Sequence, residues 1–283
     1  MNTCLKWHGG KSYLAKRIVE MMPPHTRYCE PFFGGGAVLF ARDGEGVAEY
    51  VNDIDNHLTN FWRVLSNTNR FERFQRIIEA VPFSEVEFDE SRMTWIPIVD
   101  DIEEQRDLNA VSHAASFFIR NRQSRQGLCK SFATPTTRTR RGMNENVSAW
   151  ITAVDGLPEF HARLRRVEIC CQDAISFINK FDFEQAFFYA DPPYLHETRT
   201  VKDAYRHEMT DVDHIELLRR LANIKGKFLL SGYPNELYED WAVANGVNHI
   251  DIEIDNKASG SKTKEKKIER LWFNYELPCV MDA

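Results

Sequence analysis

Between Ser12 and Met22 the apolar residues Leu14, Ile18, Val19 and Met22 fall at helical spacing, and Pro23-Pro24 end the run. A short strand around Tyr28 follows. Glu30-Pro31-Phe32-Phe33-Gly34-Gly35-Gly36 then leads into Ala37-Val38-Leu39-Phe40, which gives a strand, a glycine loop and a helix start in that order. Val47 to Asn52 reads as a second strand that Asp53 closes. This β-loop-α-β order is how a nucleotide-binding α/β sheet begins. From about 67 to 155 the pattern turns helical, with Leu108, Val111, Ala115, Phe118 and Ile119 on one face, and a polar, arginine-rich loop follows. Strand-like runs resume at Val167–Cys171, Ala186–Ala190 and Phe228–Leu230, separated by helical stretches. The alternating runs Ile250–Ile254 and Ile268–Tyr275, joined by a Lys/Ser/Gly loop, predict a terminal hairpin. We therefore expect an α/β domain formed by 1–66 and 156–283, interrupted by a mainly helical domain at 67–155.

Composition narrows the class. With 283 residues, 43% hydrophobic and 28% charged, the chain is long enough for one large α/β domain and a smaller insert. A net charge of -6 argues against a surface coated in basic groups, so contact with nucleic acid has to come from a local patch. Six cysteines without Cys-x-x-Cys spacing fit buried thiols in a reducing interior. The polar start and the absence of a long apolar run predict a soluble, cytoplasmic protein.

The glycine loop lets backbone approach a ligand, because glycine has no Cβ and tolerates positive φ. Asp53, 19 residues after Gly34, is placed to hold ribose hydroxyls. The loop is neither the Gly-x-Gly-x-x-Gly of dinucleotide enzymes nor a phosphate-binding loop with Lys-Ser/Thr, so S-adenosylmethionine fits better than NAD or ATP. Asp191-Pro192-Pro193-Tyr194 directly follows the apolar run Ala186–Ala190, at the carboxyl end of a strand, where open α/β sheets bind their ligands. The exocyclic amine of adenine is a poor nucleophile because its lone pair is delocalised into the ring. A carboxylate and a backbone carbonyl that accept its hydrogens would concentrate that lone pair and orient it. Asp191 and the Pro192 carbonyl suit this role; two prolines stiffen the turn, and the Tyr194 ring offers a face for an extruded base.

With these motifs in order, the chain resembles the Dam-type, alpha-group family of adenine-N6 DNA methyltransferases, in its phage and prophage branch, over nearly its whole length. Lys6-Trp7-His8-Gly9-Gly10-Lys11 looks like the family's amino-terminal motif, which implies Trp7 and Lys11 beside the methionine end of the cofactor. Glu30-Pro31-Phe32-x-Gly34-x-Gly36 matches its first sheet motif, and Asn52-Asp53-Ile54-Asp55 its second. The implied cofactor set is Trp7, Lys11, Glu30, Pro31, Phe32, Gly34, Gly36, Asp53, Ile54 and Asp173, with Asp53 on the ribose and Asp173 near the adenine. Glu269-Arg270-Leu271-Trp272-Phe273-Asn274-Tyr275 looks like the closing strand. The resemblance implies a Rossmann-like S-adenosylmethionine-dependent methyltransferase sheet and direct methyl transfer with neither a covalent enzyme intermediate nor a metal. It also implies that the helical insert is a target-recognition domain.

Arg120 to Asn144 carries seven basic residues, Arg120, Arg122, Arg125, Lys130, Arg138, Arg140 and Arg141, and no acid. Arginine contacts phosphate or pairs with guanine, while Asn121, Gln123 and Gln126 are of the type that reads adenine. Double-stranded DNA is the expected partner, with Lys202, Tyr205 and Arg206 in a loop that orders on it. The spacing over 125–135 departs from that of the GATC-reading branch, so the resemblance does not carry GATC recognition over. Lys257, Lys262, Lys264, Lys266 and Lys267 form a second basic cluster in the terminal hairpin. An RNA adenine methyltransferase would use the same tetrapeptide and cofactor site; the long arginine loop suits a duplex groove instead. A DNA-binding relative that has lost the reaction would keep the fold, and intact Asp191, Tyr194, Gly34 and Asp53 speak against it.

Overall fold

The computed structural model describes residues 3–7, 9–92, 103–195, 207–255 and 266–278. In chain order its elements are α1 (Ala15–Glu20), β1 (Arg27–Glu30), α2 (Ala37–Ala41), β2 (Ala48–Asn52), α3 (Asn56–Ser66), α4 (Thr68–Ala80), α5 (Glu85–Glu90) and α6 (Glu103–Gln123). A 3-10 turn (Arg125–Gly127), β3 (Thr139–Arg140), β4 (Met143–Asn144), α7 (Glu145–Asp155), α8 (Leu157–Leu164) and β5 (Val167–Cys170) follow. The last part holds α9 (Ala174–Phe181), β6 (Ala186–Ala190), α10 (Asp211–Ala222), β7 (Lys227–Gly232), α11 (Glu236–Asn245), β8 (Asn248–Asp255) and β9 (Lys266–Phe273). Among the described residues no helix is long and apolar enough to cross a membrane.

Two compact units divide the chain, one of Met1–Lys16, Gly34–Asp43 and Asp55–Cys171, the other of Arg17–Phe33, Gly44–Ile54 and Gln172–Ala283. In the second, six strands run in the order β2-β1-β6-β7-β9-β8. They are parallel from β2 to β7, and β9 and β8 close the sheet antiparallel. All five residues of β6 are buried, as expected for a central parallel strand covered on both faces. Because β1 lies between β2 and β6, the chain reverses direction there, and the carboxyl ends of these strands flank a topological switch point. The antiparallel β9 enters the sheet at that same edge: Arg270 pairs with Gly232, so Glu269 lies past the end of β7.

Capping side chains start the helices around this edge. Asp173 accepts a hydrogen bond from the Ser176 N–H at the start of α9, and Thr210 and Asp213 form a capping box on α10. Thr210 therefore opens α10.

The first unit is helical, and aromatic rings hold it. Phe61 of α3 stacks on Phe118 of α6, with ring centroids 5.7 Å apart, and Phe74 of α4 meets both edge-on. Each fully buried ring of this kind contributes roughly 1.5–3 kcal/mol. This packing groups the helices of 67–155 with α3 and the amino-terminal segment in one unit. Leu108, placed on the buried face of α6 by its spacing, is 43% exposed, whereas Val111, Ala115, Phe118 and Ile119 are buried. Of the cysteines read as buried, Cys4 and Cys29 are so, but Cys129 and Cys170 are half-buried and Cys171 is exposed.

Candidate active site

Asp191 is the first residue beyond β6 and is half-buried; Pro192 is buried and Pro193 half-buried. Tyr194 is 9% exposed, so only a small part of its ring is open. Its hydroxyl lies 3.2 Å from Asp191 Oδ1 and also donates to Glu269, a buried carboxylate on β9. Burial, and then the negative charges of Asp191 and Glu269, hold the phenol pKa well above its ordinary value. The Tyr233 ring, just after β7, meets Tyr194 edge-on with centroids 4.8 Å apart. Behind the loop, the Tyr189 hydroxyl and Ser231 are 3.0 Å apart.

On neighbouring strand ends the second unit gathers another set. Tyr28 donates to the buried Glu30 carboxylate at 2.8 Å. Asn52, the last residue of β2, donates to the Pro31 and Gln172 carbonyls at 3.0 and 2.9 Å and accepts from the Gln172 N–H at 3.0 Å. One buried amide thus ties together the segments carrying Glu30-Pro31-Phe32, Asp53 and Asp173. Asp53 and Phe32 are half-buried and Pro31 is buried, while Ile54 is 54% exposed. The exposed Asp173 has its pKa lowered first by its side-chain hydrogen bond to Ser176, so part of its capacity as an acceptor already serves the cap of α9.

In the first unit, Trp7 packs on the glycine loop. A Cβ on Gly34, whose φ is +48°, would lie 2.6 Å from Trp7 Nε1, and one on Gly35 would lie 2.7 Å from Trp7 Cβ. Trp62 Nε1 donates to the Gly34 carbonyl at 3.1 Å. Gly36, with φ +69°, precedes α2 in the left-handed region. Lys11 is 4% exposed, and its ammonium donates to the Gly9 carbonyl at 3.2 Å.

The family of D12 class N6 adenine-specific DNA methyltransferases matches residues 7–254. The chain belongs to this family. Among its relatives is the type II methyltransferase M.MjaIII of Methanocaldococcus jannaschii, 28% identical over 96% of this chain and 98% of that protein. The DNA adenine methylase of Serratia marcescens is 25% identical over 84% of this chain and 85% of its own length. The DNA N-6-adenine-methyltransferase of Escherichia phage P1 is 29% identical over 83% of this chain, which corresponds to 31% of that longer protein.

This D12-class enzyme carries the arginine-rich segment in two different settings. Asn121 is 1% exposed; it accepts from the Lys6 N–H at 2.8 Å and donates to the Lys6 and Gly127 carbonyls at 2.9 and 3.3 Å. An amide committed in this way anchors the amino-terminal motif, and the expectation that Asn121 reads a base is corrected. Gln123, also fully buried, bonds the Pro82 carbonyl and the Ser84 N–H. Arg122 is largely enclosed and donates to the Ala149 carbonyl, and half-buried Arg120 donates to the Cys129 carbonyl. Burial lowers the Arg122 pKa, and burial together with the Arg122 charge brings Lys6 down to about 8. Each of these two arginines thus has a guanidinium nitrogen bonded to a backbone carbonyl of the same unit.

Arg125, Lys130, Arg138, Arg140 and Arg141 are exposed. The last three sit on the β3–β4 hairpin, whose turn residues Arg141 and Gly142 have φ of +55° and +73°. Tyr205, Lys202 and Arg206 lie outside the described residues, as do Lys257, Lys262 and Lys264.

Sequence reasoning missed Glu269 and Asn52 as partners of the motif residues in the second unit, and Gly127 as the neighbour of Lys6 in the first. Glu269 stands between Ile268 and Arg270, so nothing in its local sequence marks it as buried. For Gly127 no sequence signal exists: a Cβ there would lie 2.1 Å from the Lys6 carbonyl oxygen, a neighbour 121 positions away.

Proposed function

We propose that this enzyme takes S-adenosylmethionine as methyl donor and transfers the methyl directly to the N6 amine of an adenine extruded from double-stranded DNA. The observation that carries this reading is the setting of Asp191: a carboxylate at the carboxyl end of a fully buried strand, beside the sheet's switch point. A hydrogen bond from the adenine amine to Asp191, and a second to the Pro192 carbonyl, localise a lone pair that the ring otherwise withdraws. Asp191 then accepts the proton that the amine loses. Pro193 keeps the turn stiff, and Tyr194 borders the extruded base.

Bound S-adenosylmethionine supplies a methyl group on a positively charged sulfur. The residues present suit a nucleoside, since the exposed Ile54 side chain offers an apolar surface next to the Asp53 carboxylate. Asp53 would hold the ribose hydroxyls, and Asp173 would lie near the adenine. Trp7 and the Lys11 ammonium would take the methionine end, with Glu30, Pro31, Phe32, Gly34 and Gly36 completing the set. Duplex DNA is met by the exposed Arg125, Lys130, Arg138, Arg140 and Arg141, with 67–155 as the target-recognition region and Tyr205 as a further contact. Its place of action is the cytoplasm of a bacterial or phage-infected cell, with the DNA.

Labelled methyl transfer to unmethylated duplex DNA tests the reading. Asp191→Ala is expected to lower turnover by about a thousandfold or more while S-adenosylmethionine binding persists. Undiminished transfer in that variant would sink the mechanism, and faster transfer to RNA than to duplex DNA would replace the substrate.

A further inference from the structure

The parallel pairing of β1 with β2 ends at Glu30 and Val51, and Pro31 brings no N–H with which to continue the ladder. A side chain takes over from the backbone there. Asn52, the last residue of β2, is 1% exposed, and its amide hydrogens go to the Pro31 and Gln172 carbonyls at 3.0 and 2.9 Å. Its Oδ1 accepts the Gln172 N–H at 3.0 Å, so one amide holds both backbone groups of Gln172. This set of bonds needs two hydrogens and an acceptor on one planar group. A carboxylate of the same shape would set lone pairs against two carbonyl oxygens.

The peptide planes carry the effect outward. No described peptide bond is cis, and in a trans peptide the N–H points opposite to the C=O. With the Pro31 and Gln172 carbonyls drawn to Asn52, the N–H groups of Phe32 and Asp173 are turned away from it. Asp173 next accepts the Ser176 N–H at 2.8 Å, so the orientation passes into α9. The backbone carbonyl of Asn52 accepts the Phe33 N–H at 2.8 Å. From this geometry we infer that Asn52 is a positioning residue for S-adenosylmethionine: without touching the cofactor, it fixes the two peptides that lead into Phe32 and Asp173 and holds them in register, so that the binding face exists before the ligand arrives.

This inference rests on the proposal that Phe32 and Asp173 belong to the cofactor site, and the test separates the two. Asn52→Ala removes the three side-chain bonds and keeps the backbone bond to Phe33. By isothermal titration without DNA, S-adenosylmethionine affinity is expected to fall roughly tenfold to thirtyfold, and the cofactor KM to rise in step. The single-turnover rate at saturating cofactor should stay within about threefold of the parent, because the bracket holds none of the groups proposed to act on the adenine amine. Asn274 supplies a matched control in the same unit. Its amide accepts the Phe228 N–H at 2.9 Å and donates to the Gly226 carbonyl at 3.1 Å, at the amino-terminal end of β7 and so at the opposite edge of the sheet. Asn274→Ala should lower the denaturant midpoint, as Asn52→Ala does, but leave cofactor affinity within about twofold of the parent.

Cofactor affinity within about twofold of the parent in Asn52→Ala overturns the inference. An equal loss of affinity in Asn274→Ala also overturns it, since the effect would then be a general loosening of the sheet. So does a slower saturated rate with KM unchanged. If Asn52→Ala does not fold, Asn52→Ser keeps one donor, and comparison with Asn274→Ser applies with the same overturning results. A parent protein that binds no S-adenosylmethionine would instead remove the reading of the cofactor site on which the inference stands.

Discussion

The catalytic loop and the arginine-rich segment are both polar stretches that stand out in the sequence, but they fold in opposite ways. Asp191-Pro192-Pro193-Tyr194 acts as a contiguous piece: it leaves a buried strand, and its polar atoms turn toward one another and toward Glu269. Residues 120–144 act as two pieces. Arg120, Asn121 and Arg122 end α6 and bond backbone carbonyls inside the first unit, while Arg138, Arg140 and Arg141 stand exposed on a hairpin. Chemistry on one amine requires groups within a few ångströms, which a tetrapeptide supplies. Binding to a duplex requires only surface, so a run of like charges carries no instruction about which members face outward.

The sharpest way to break this contrast is to treat Asn121 as a surface residue. If it is the anchor described above, Asn121→Ala leaves the buried N–H and carbonyl of Lys6 without their partner, at a cost of about 2–4 kcal/mol in unfolding free energy. Loss of the anchored Lys6-Trp7 segment should weaken S-adenosylmethionine binding as well. Denaturant titration checks it, and a change under about 0.5 kcal/mol, the size expected of a surface site, would place Asn121 with the exposed group after all.

The hairpin residues should show the reverse behaviour. Replacing Arg138, Arg140 and Arg141 together by alanine is expected to leave stability within about 0.5 kcal/mol. Duplex binding should weaken roughly tenfold to a hundredfold near 0.1 M salt, and the slope of log affinity against log salt should become shallower by about 0.9 for each phosphate that is no longer neutralised. An unchanged slope would mean that these arginines do not meet the backbone. Removing Arg122 is not an equivalent experiment, because its guanidinium bonds the Ala149 carbonyl and its absence disturbs packing.

This contrast also accounts for how far the sequence could be read. The strands around the switch point were legible because apolar runs such as Ala186–Ala190 end in turn residues, and the order β-glycine loop-α-β restricts the topology. The terminal hairpin of β8 and β9 followed from the alternation of Ile250–Ile254 and the second strand-like run that comes after the Lys/Ser/Gly loop. The β3–β4 hairpin did not, because its strands are two residues long and its turn is Arg141-Gly142, where no apolar periodicity exists to detect. Nor did the bonds of Asn121 to Lys6 or of Glu269 to Tyr194. They join residues 115 and 75 positions apart, and such pairings are set by how the elements pack. Asp53 and Asp191 were readable for the opposite reason: each directly follows a strand, and strand ends are where this sheet type places its ligands.

Asp173 sharpens the comparison at its smallest scale, since it lies among the motif acids yet behaves locally like Asn121, with its side chain committed to the protein. Serine also caps helices, but its hydroxyl cannot extend as far as a carboxylate. Asp173→Ser is therefore expected to change stability by only a few tenths of a kcal/mol, whereas Asp173→Ala should cost about 1 kcal/mol through loss of the bond to the Ser176 N–H. The two substitutions separate the cap from the proposed cofactor role. If the remaining acceptor capacity of Asp173 holds the cofactor's adenine, both should weaken S-adenosylmethionine binding to a similar extent, roughly threefold to tenfold, while differing in stability. Isothermal titration on the two variants decides it: wild-type affinity in Asp173→Ser would confine Asp173 to the cap of α9, and the set of motif acids acting on the cofactor would then exclude it.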